Sequence, residues 1–365
     1  MPTRELFEPF ALKSLTLKNR FVMAPMTRAF SPNGVPTPEV AAYYRRRAAG
    51  GVGLILSEGT LIDRPIAGNN PSYPNFHGAA ALAGWKTVID EVHDAGGKMG
   101  PQLWHLGIVE PGVSGTDQSL FEGPSGFLTT GASAGHAMTE EDIADTIAAY
   151  ARSATSAERL GFDMLEIHGA HGYLIDQFFW DVTNRRTDRY GGPTVADRAA
   201  FGVEVIRAVR AAVGPEYVIS LRISQWKSGQ FDAKVAKTPK EMEEWLVPLA
   251  DAGVDLFHCS QRRLWEPEFE GSDLNTAGWA KKVTGKPTIT VGSVGLTTEF
   301  TSSFRGDGAQ PASLEELERR FDRGDFDLVA IGRALLSDPE WVTKLNEGRE
   351  DEFKGFDKSA LAALV

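Results

Sequence analysis

The stretch that decides the fold is residues 139–173, TEEDIADTIAAYARSATSAERLGFDMLEIHGAHGY. Its first part, 139–160, is amphipathic, begins with Thr139 and acidic residues, and stops at Gly161, which predicts a helix. Its second part, 162–168, is a short and nearly continuous apolar run, as expected for a parallel strand that is covered on both faces. The repeating unit is therefore a helix and a buried strand, with polar residues directly after the strand.

The same alternation recurs along the chain. Strands are predicted at 20–26, 52–58, 98–104, 162–168, 217–223, 254–260, 287–292 and 327–332. Helices are predicted between them, for example at 195–213 and at 239–252, which has Pro239 in its first turn. About eight such strands predict an α/β fold, a single (β/α)8 TIM barrel. Because no linker or change of composition divides the chain, residues 1–365 are predicted to form one domain.

Three segments are longer than ordinary connections in a barrel. They are 106–138, 261–275 and 297–311, and each follows the C-terminal end of a predicted strand. The C-terminal face of a TIM barrel carries the active site. We therefore expect extended loops over a pocket at this face.

Composition and charge exclude several classes of protein. Hydrophobic residues make up 42% and charged residues 24% of the 365 residues, which argues against disorder. The net charge is −11 without a basic block, so no nucleic-acid partner and no membrane surface is expected. The single Cys259 excludes intrachain disulfides and multi-thiolate metal sites, and we expect it to be a buried structural thiol. The N-terminus shows no signal segment and no membrane-spanning run is found, so the expected location is cytoplasmic.

The residues after the fourth predicted strand indicate catalysis. His168, His171 and Tyr173 lie within six residues of one another at this strand end. Two imidazoles can donate hydrogen bonds to one anionic oxygen, and a protonated Tyr can act as an acid. Polar packing at the barrel rim is the simplest alternative. A zinc site formed by Glu166, His168 and His171, with His105 as a further ligand, is another, but the helical His-x-x-x-His spacing is missing, so no metal is expected.

The ends of the last two predicted strands indicate a phosphate site. Gly292 and Ser293 follow the seventh strand, and Gly332 and Arg333 follow the eighth. In many barrels these two loops present backbone N–H groups to a phosphate. Glycine allows close approach of the backbone, and Arg supplies a charge-assisted hydrogen bond. The alternative is that each glycine only ends its strand.

Polar groups also occupy other strand ends. The Gln102 amide can donate to and accept from the edge of a heterocycle, and Trp104 is either a flat pocket wall or a core aromatic residue. Arg222 lies among apolar residues, so it needs an anionic ligand or a carboxylate partner. Glu58 and Glu166 are the candidate carboxylates, and the sequence leaves both possibilities open.

Together, these segments resemble the Old Yellow Enzyme family of FMN-dependent ene-reductases. The resemblance covers nearly the whole chain, from 17–28, LKNRFVMAPMTR, to 332–333, GR. It includes 57–59, SEG, 102–105, QLWH, and 168–177, HGAHGYLIDQ. The most specific segment is 184–192, NRRTDRYGG, followed by 197–198, DR.

The resemblance implies FMN as the cofactor and NADPH or NADH as the hydride donor, in a ping-pong reaction that reduces the activated C=C bond of an α,β-unsaturated carbonyl or nitro compound. The implied FMN-binding residues are Pro25, Met26, Thr27, Gly59, Gln102, Arg222, Gly292, Ser293, Gly332 and Arg333. His168 and His171 would hold the substrate oxygen, and Tyr173 would protonate the α carbon. Trp104 and Tyr73 would line the substrate pocket.

Three features depart from the pattern of the family. Ile108 follows Gly107 where the family often has Arg, and 225–226, QW, stands where the family usually has Pro. The third feature is the insertion 297–311. These positions border the pocket, so they bear on substrate range and on the choice between NADH and NADPH.

Two other functions compete with this interpretation. Some flavin barrels demethylate amines, but those relatives carry cysteine-ligated clusters, and this chain has one Cys. A phosphate-binding aldolase or a ligand carrier without redox activity is the second alternative. An aldolase needs an inward Lys for a Schiff base, whereas Lys98 begins its strand at the wrong end of the barrel. Both a monomer and a homo-oligomer are compatible with the sequence.

Overall fold

The computed structural model describes residues 2–68, 70–110, 121–299, 302 and 308–365. Within these residues the centre of the molecule is a closed barrel of parallel strands, numbered here in chain order. They are Phe21–Met23 (β1), Leu54–Leu61 (β2), Lys98–Trp104 (β3), Met164–His171 (β4), Val218–Lys227 (β5), Leu256–Ser260 (β6), Thr288–Val291 (β7) and Leu328–Ile331 (β8). Each strand pairs in parallel with the next and β8 pairs with β1, which confirms the predicted (β/α)8 barrel.

All of the predicted strands are present, and three of them are longer than predicted at their C-terminal ends. β2, β4 and β5 continue past their predicted ends, to Leu61, His171 and Lys227. The pairing is irregular in the same regions, with register shifts between Leu56 and Gly59 and between Gly169 and His171. Such irregularities redirect side chains, here at the C-terminal face of the barrel.

Helices cover the barrel. They are Pro38–Ala49, Ala79–Asp94, Glu140–Leu160, Leu174–Phe179, Val195–Arg198, Ala200–Val213, Pro239–Ala252, Thr276–Thr284, Glu315–Asp322, Arg333–Ser337 and Trp341–Asn346. The helix predicted at 139–160 begins one residue later because Thr139 is its N-cap, in a capping box with Asp142. The helix predicted at 195–213 is in fact two helices, since Ala199 lies between them and its N–H is shared by several carbonyls of the first turn.

The barrel interior is apolar at its N-terminal end and polar at its C-terminal end. The apolar layer contains Val22, Ala24, Leu54, Leu56, Met164, Val218, Leu256, Ile289, Leu328 and Ala330. The antiparallel hairpin Phe10–Leu12 and Leu15–Leu17 packs against this layer through Phe10, Leu15 and Leu17. Each buried aliphatic side chain contributes roughly 1.5–3 kcal/mol. This layer gives the polar layer above it a rigid base.

The long segments follow strand ends, as predicted. Segment 106–138 contains a short parallel pair, Glu122–Gly123 with His136–Ala137, and its residues 111–120 lie outside the described residues. Of the insertion 297–311, residues 300, 301 and 303–307 also lie outside them. No helix in the described part of the chain is long and apolar enough to cross a membrane. The cytoplasmic location and the single domain remain predictions.

Candidate functional site

The predicted catalytic and pocket residues form one aromatic cluster at the C-terminal face. The ring centroids of Trp104 and Tyr173 are 4.9 Å apart, and those of His168 and Tyr173 are 5.0 Å apart. His168 and His171 are 5.1 Å apart and nearly perpendicular, and Tyr73 lies 5.3 Å from Trp104. Residues from β3, β4 and two loops are thus brought together at one place, as the sequence predicts.

Both histidines of the cluster are neutral. Burial and the nearby Arg222 guanidinium hold the pKa of His168 well below its usual range. The same two causes, in the same order, lower the pKa of His171. The N–H of Ala170 donates to Nδ1 of His168 at 3.3 Å, so the ring proton of His168 is on Nε2. A neutral imidazole offers one N–H, which can donate to a developing oxyanion.

His171 has partners that the sequence does not reveal. Its Nε2 lies 2.8 Å from Oγ of Ser260, which ends β6. Its ring stacks on Trp226 with centroids 4.5 Å apart. Its backbone N–H donates to Oγ of Ser224 at 2.9 Å. Ser224 and Ser260 are therefore site residues that sequence reasoning missed, and the only hint of them is that each lies near a predicted strand end.

Tyr173 is a protonated acid at neutral pH. It is the N-cap residue of the helix Leu174–Phe179, directly after the turn that carries His171. Burial, with a smaller contribution from Tyr73, raises the pKa of Tyr173 to about 12. The phenol therefore keeps its proton and can donate it to a carbanion that forms beside it.

Glu166 organises the polar layer of the barrel interior. Its Oε1 accepts a hydrogen bond from Nε2 of Gln102 at 2.8 Å. Its Oε2 accepts from Oγ of Ser220 at 3.0 Å and pairs with Nδ1 of His258 at 2.8 Å. Burial alone raises the pKa of Glu166, but His258, Arg222 and Gln102 together lower it. The side chain is therefore a buried carboxylate beneath the aromatic cluster.

Arg222 is suited to a ligand. It pairs in register with His168 on one side and His258 on the other, and it is 7% exposed. Its Nε is buried and has no hydrogen-bond partner among the residues that the structure describes. Among the described residues no ion pair joins Arg222 to Glu58 or Glu166, so the geometry disfavours the internal ion pair. A buried guanidinium with an unused N–H fits the acceptor atoms of a bound flavin.

The end of β1 forms a second side of the site. Pro25 is buried, Met26 is partly buried and Thr27 is exposed. The loop that follows is held by Glu58, whose Oε2 accepts from the backbone N–H groups of Arg28 at 2.9 Å and Ala29 at 3.0 Å. Thr27 is thus the side chain of this segment that is free to meet a ligand.

Gly59 is needed for close packing. A Cβ atom at this position would lie 2.6 Å from Cε3 of Trp104. The resemblance implies that Gly59 is one of the FMN-binding residues. In the structure the side chain nearest to it is Trp104, so Gly59 determines how closely that indole approaches β2.

The predicted phosphate-binding residues converge. Nη2 of Arg333 donates to the carbonyl of Thr298 at 2.7 Å and lies 3.5 Å from Oγ of Ser293. Burial lowers the pKa of Arg333 to about 10, so the guanidinium is still a cation at pH 7. Within the described part of the chain, a Cβ at Gly332 would meet only Sδ of Met26, at 3.6 Å, which leaves space for an anion beside the backbone. Gly292 precedes Ser293, whose φ is +51°.

The residues of the alternative zinc site do not come together as one set, because His168 and His171 are neighbours but Glu166 and His105 have other partners. Glu166 faces Gln102 and His258, and Nε2 of His105 pairs with Glu122 at 3.2 Å. No group of three His, Cys, Asp or Glu side chains that could hold a metal occurs in the part of the chain that is described. Cys259 is fully buried, as predicted, and burial raises the pKa of its thiol.

The positions and partners of Lys98 and Lys227 argue against an aldolase. Nζ of Lys98 binds Oδ1 of Asp163 at 2.8 Å at the N-terminal end of the barrel, as predicted. The sequence reasoning missed Lys227, which ends β5 at the catalytic face and is fully buried. Its Nζ forms an ion pair of 2.7 Å with Oδ1 of Asp176. Because this amine is held by the buried Asp176 carboxylate, it is poorly placed to attack a carbonyl group and form a Schiff base.

Comparison with known proteins agrees with this geometry. The sequence model described as the NADH:flavin oxidoreductase / NADH oxidase family matches residues 5–352. The chain is 34% identical over 361 residues to the NADH oxidase of Thermoanaerobacter brockii, covering 96% of this chain and 52% of that protein. It is 33% identical over 346 residues to the putative 12-oxophytodienoate reductase 2 of Oryza sativa subsp. japonica, covering 92% and 85%. The chain thus spans about half of the first relative and most of the second.

Solved structures give the same result. Morphinone reductase in complex with tetrahydroNAD has a TM-score of 0.80 and 28% identity, and the match covers 98% of this chain and 93% of that one. The Old Yellow Enzyme homologue from Zymomonas mobilis has a TM-score of 0.80 and 26% identity, with 98% and 96% covered. The chain therefore belongs to the NADH:flavin oxidoreductase / NADH oxidase family, the Old Yellow Enzyme family, and is an NAD(P)H-dependent oxidoreductase with FMN as its cofactor.

Proposed function

We propose that this enzyme reduces the activated C=C bond of an α,β-unsaturated carbonyl or nitro compound by a ping-pong mechanism. The observation that carries the proposal is the position of His168, whose ring centroid is 5.1 Å from that of His171 and 5.0 Å from that of Tyr173. Such a cluster combines donors for a developing oxyanion with an acid for the adjacent carbon. The relatives named 12-oxophytodienoate reductase and morphinone reductase support a reductase activity.

The protein would hold FMN between the two sides of the site. Arg222, with its unused Nε–H, and Gln102 would bind the polar edge of the ring system. Ser293, the backbone of Gly292 and Gly332, and Arg333 would bind the phosphate. Pro25, Met26, Thr27 and Gly59 would border the ring. FMN supplies the hydride transfer that side chains cannot perform, with NADPH or NADH as the source.

The side chains of the cluster then act on the substrate. The N–H groups of His168 and His171 would donate to its carbonyl or nitro oxygen, which becomes negative as the β carbon receives hydride. Tyr173 would donate its proton to the α carbon and regain a proton from solvent. Trp104 and Tyr73, which contact each other, would form the flat wall of the pocket.

The substitution Tyr173→Phe tests the proposal by separating the two half-reactions. Reduction of the bound flavin by NADPH or NADH should keep its rate, because no proton from Tyr173 is needed in that step. Re-oxidation of the reduced enzyme by 2-cyclohexenone should slow by about 10²- to 10⁴-fold, the usual effect of losing a general acid. Stopped-flow absorbance of the flavin measures both rates. Equal losses in the two half-reactions, or no loss in either, would contradict the role of Tyr173.

A further inference from the structure

Trp226, one of the residues that depart from the family's pattern, lies directly against His171. The two rings stack with a centroid distance of 4.5 Å and an interplanar angle of 27°. Nε1 of Trp226 donates a hydrogen bond of 3.1 Å to the backbone carbonyl of Ser260. Oγ of Ser260 lies 2.8 Å from Nε2 of His171. The indole thus covers one face of the imidazole and also holds the residue that contacts its edge.

The backbone of His171 is also fixed. Its φ is +65°, in the left-handed region that residues other than glycine rarely adopt, so the turn needs support from its surroundings. Oγ of Ser224 accepts from the N–H of His171 at 2.9 Å, and the carbonyl of His171 accepts from the N–H of Ser228 at 3.1 Å. The end of β5, which carries Trp226, therefore holds both the backbone and the ring of His171.

The contact with Ser260 decides which nitrogen of His171 carries the proton. Ser260 is 4% exposed, and His171 is its hydroxyl's one hydrogen-bond partner among the described residues. If His171 donated through Nε2–H, the buried hydroxyl proton would have no acceptor, which is costly. If Ser260 donates to Nε2, every buried group is satisfied and the imidazole proton lies on Nδ1. Because His171 is partly exposed, Nδ1–H can be solvated until a ligand binds.

We propose that Trp226 and Ser260 are positioning residues for substrate binding. They hold His171 as its Nδ1–H tautomer, so that this N–H and the Nε2–H of His168 both donate to the same substrate oxygen. The inference rests on the proposed function, since it assigns the donor atoms of the same oxygen site. The inference gives a function to the departure from the family's pattern at residues 225–226, because Trp226 sets the orientation of the His171 N–H donor. It also adds Trp226 of β5 and Ser260 of β6 to the aromatic cluster that β3, β4 and two loops form.

The tautomers can be observed directly. In the FMN-loaded enzyme labelled with ¹⁵N at histidine, long-range ¹H–¹⁵N correlation spectra at pH 7.5 distinguish Nδ1–H from Nε2–H rings among the 7 histidines. His168→Gln and His171→Gln variants assign the two signals. We expect Nδ1–H for His171 and Nε2–H for His168. An Nε2–H signal for His171 in the wild-type enzyme overturns the proposal, whatever the variants show.

Variants test the consequence for binding. The probe is 4-cyanophenol, titrated into the oxidised holoenzyme and followed by the flavin absorbance. Ser260→Ala should weaken its binding by about 10-fold, the effect of losing one well-oriented hydrogen bond. Ser260→Thr, which keeps the hydroxyl, should restore most of the affinity. Trp226→Phe keeps the stack and loses only the Nε1–H bond, so its effect should be smaller than that of Trp226→Leu.

Two controls keep the interpretation specific. Cys259→Ala makes a truncation of similar size on the same strand but on the opposite face, and should leave phenol binding within 2-fold of wild type. Flavin reduction by NADH should also be unchanged in Cys259→Ala. Phenol affinities within 2-fold of wild type for both Ser260→Ala and Trp226→Leu would refute the proposal. If instead no enone is reduced while the tautomers and affinities are as expected, the proposed function fails and the positioning role stands.

Discussion

Nε2 of Gln102 donates a hydrogen bond of 2.8 Å to Oε1 of Glu166, its register partner on the neighbouring strand. The bond settles the orientation of the Gln102 amide, because only its NH₂ group can donate to a carboxylate. One N–H and the carbonyl oxygen of the amide remain, and these are a donor and an acceptor for the edge of a heterocycle. The buried carboxylate of Glu166 thus orients the Gln102 amide for hydrogen bonding to the cofactor.

The first prediction concerns Glu166 itself. Glu166→Gln removes the buried carboxylate charge that interacts with the Arg222 guanidinium, and it turns one acceptor that faces Gln102, Ser220 and His258 into a donor. Because breaking a buried charged network costs about 3–5 kcal/mol, we expect a loss of unfolding free energy of this size. Urea denaturation measures it, and the FMN dissociation constant should rise in parallel. The exposed Glu350→Gln variant is the control, with an expected change below about 0.5 kcal/mol. A similarly small change for Glu166→Gln would show that the network does not stabilise the fold.

The second prediction is a pH dependence of stability through Glu58. Burial raises the pKa of Glu58 from its ordinary 4.5 to about 7, although it accepts hydrogen bonds from Arg28 and Ala29. In the unfolded chain the carboxyl group ionises near pH 4.5, whereas in the folded protein it stays neutral up to about pH 7. Its contribution to stability is therefore fully present below pH 4.5 and is lost as the pH rises to about 7.

The loss over this range amounts to about 3 kcal/mol, at 1.36 kcal/mol for each unit of pKa difference. Glu58→Gln has no such titration and keeps an acceptor for the two backbone N–H groups. The unfolding free energy of the variant, relative to that of wild type, should therefore increase by about 3 kcal/mol between pH 4.5 and pH 7.5. Urea denaturation of both FMN-saturated proteins at several pH values tests this. A difference between them that does not depend on pH would rule out a raised pKa at Glu58.

The third prediction concerns the ion pair between Lys227 and Asp176. Both side chains are fully buried, and Oδ2 of Asp176 also accepts from the N–H of Gly172 at 2.7 Å, in the turn before Tyr173. Lys227→Met and Asp176→Asn each leave a buried charge without its partner, so each should cost about 3–5 kcal/mol. The double variant has no unpaired charge. Its loss of unfolding free energy should therefore be smaller than the sum of the losses in the two single variants. Strict additivity in denaturation experiments would mean that the two groups do not interact.

The fourth prediction concerns the charge state of the oxygen site. Because burial and Arg222 lower the pKa of both His168 and His171, neither ring should gain a proton between pH 6 and pH 8. The affinity for a phenol with a pKa near 10 should therefore show no step near pH 6.5. Substituting both histidines with Ala should weaken phenol binding by about 10²-fold, the effect of losing two hydrogen bonds at about 1.4 kcal/mol each. A clear step near pH 6.5 would mean that one ring titrates, and unchanged affinity in the double variant would move the oxygen site elsewhere.

The sequence by itself determined the barrel and the location of the reactive residues. Runs of apolar residues, their lengths and the Gly and Pro residues between them are local features, and they predict eight strands that the structure confirms. The C-terminal ends of parallel strands meet at one face, so His168, His171 and Tyr173 were predicted to share a site with Gln102 and Arg222. These inferences need only the alternation of strands and helices.

Only the tertiary structure decided which groups hold the reactive residues in place. Ser260 meets His171 across 89 residues of chain, and Lys227 meets Asp176 across 51. These contacts depend on the irregular register between β4 and β5 and on how far each strand continues at the rim. Neither feature has a local pattern in the sequence, because side-chain direction at an irregular strand end is set by the neighbouring strands. The reactive residues are therefore encoded locally, whereas their orientation and protonation state arise from packing.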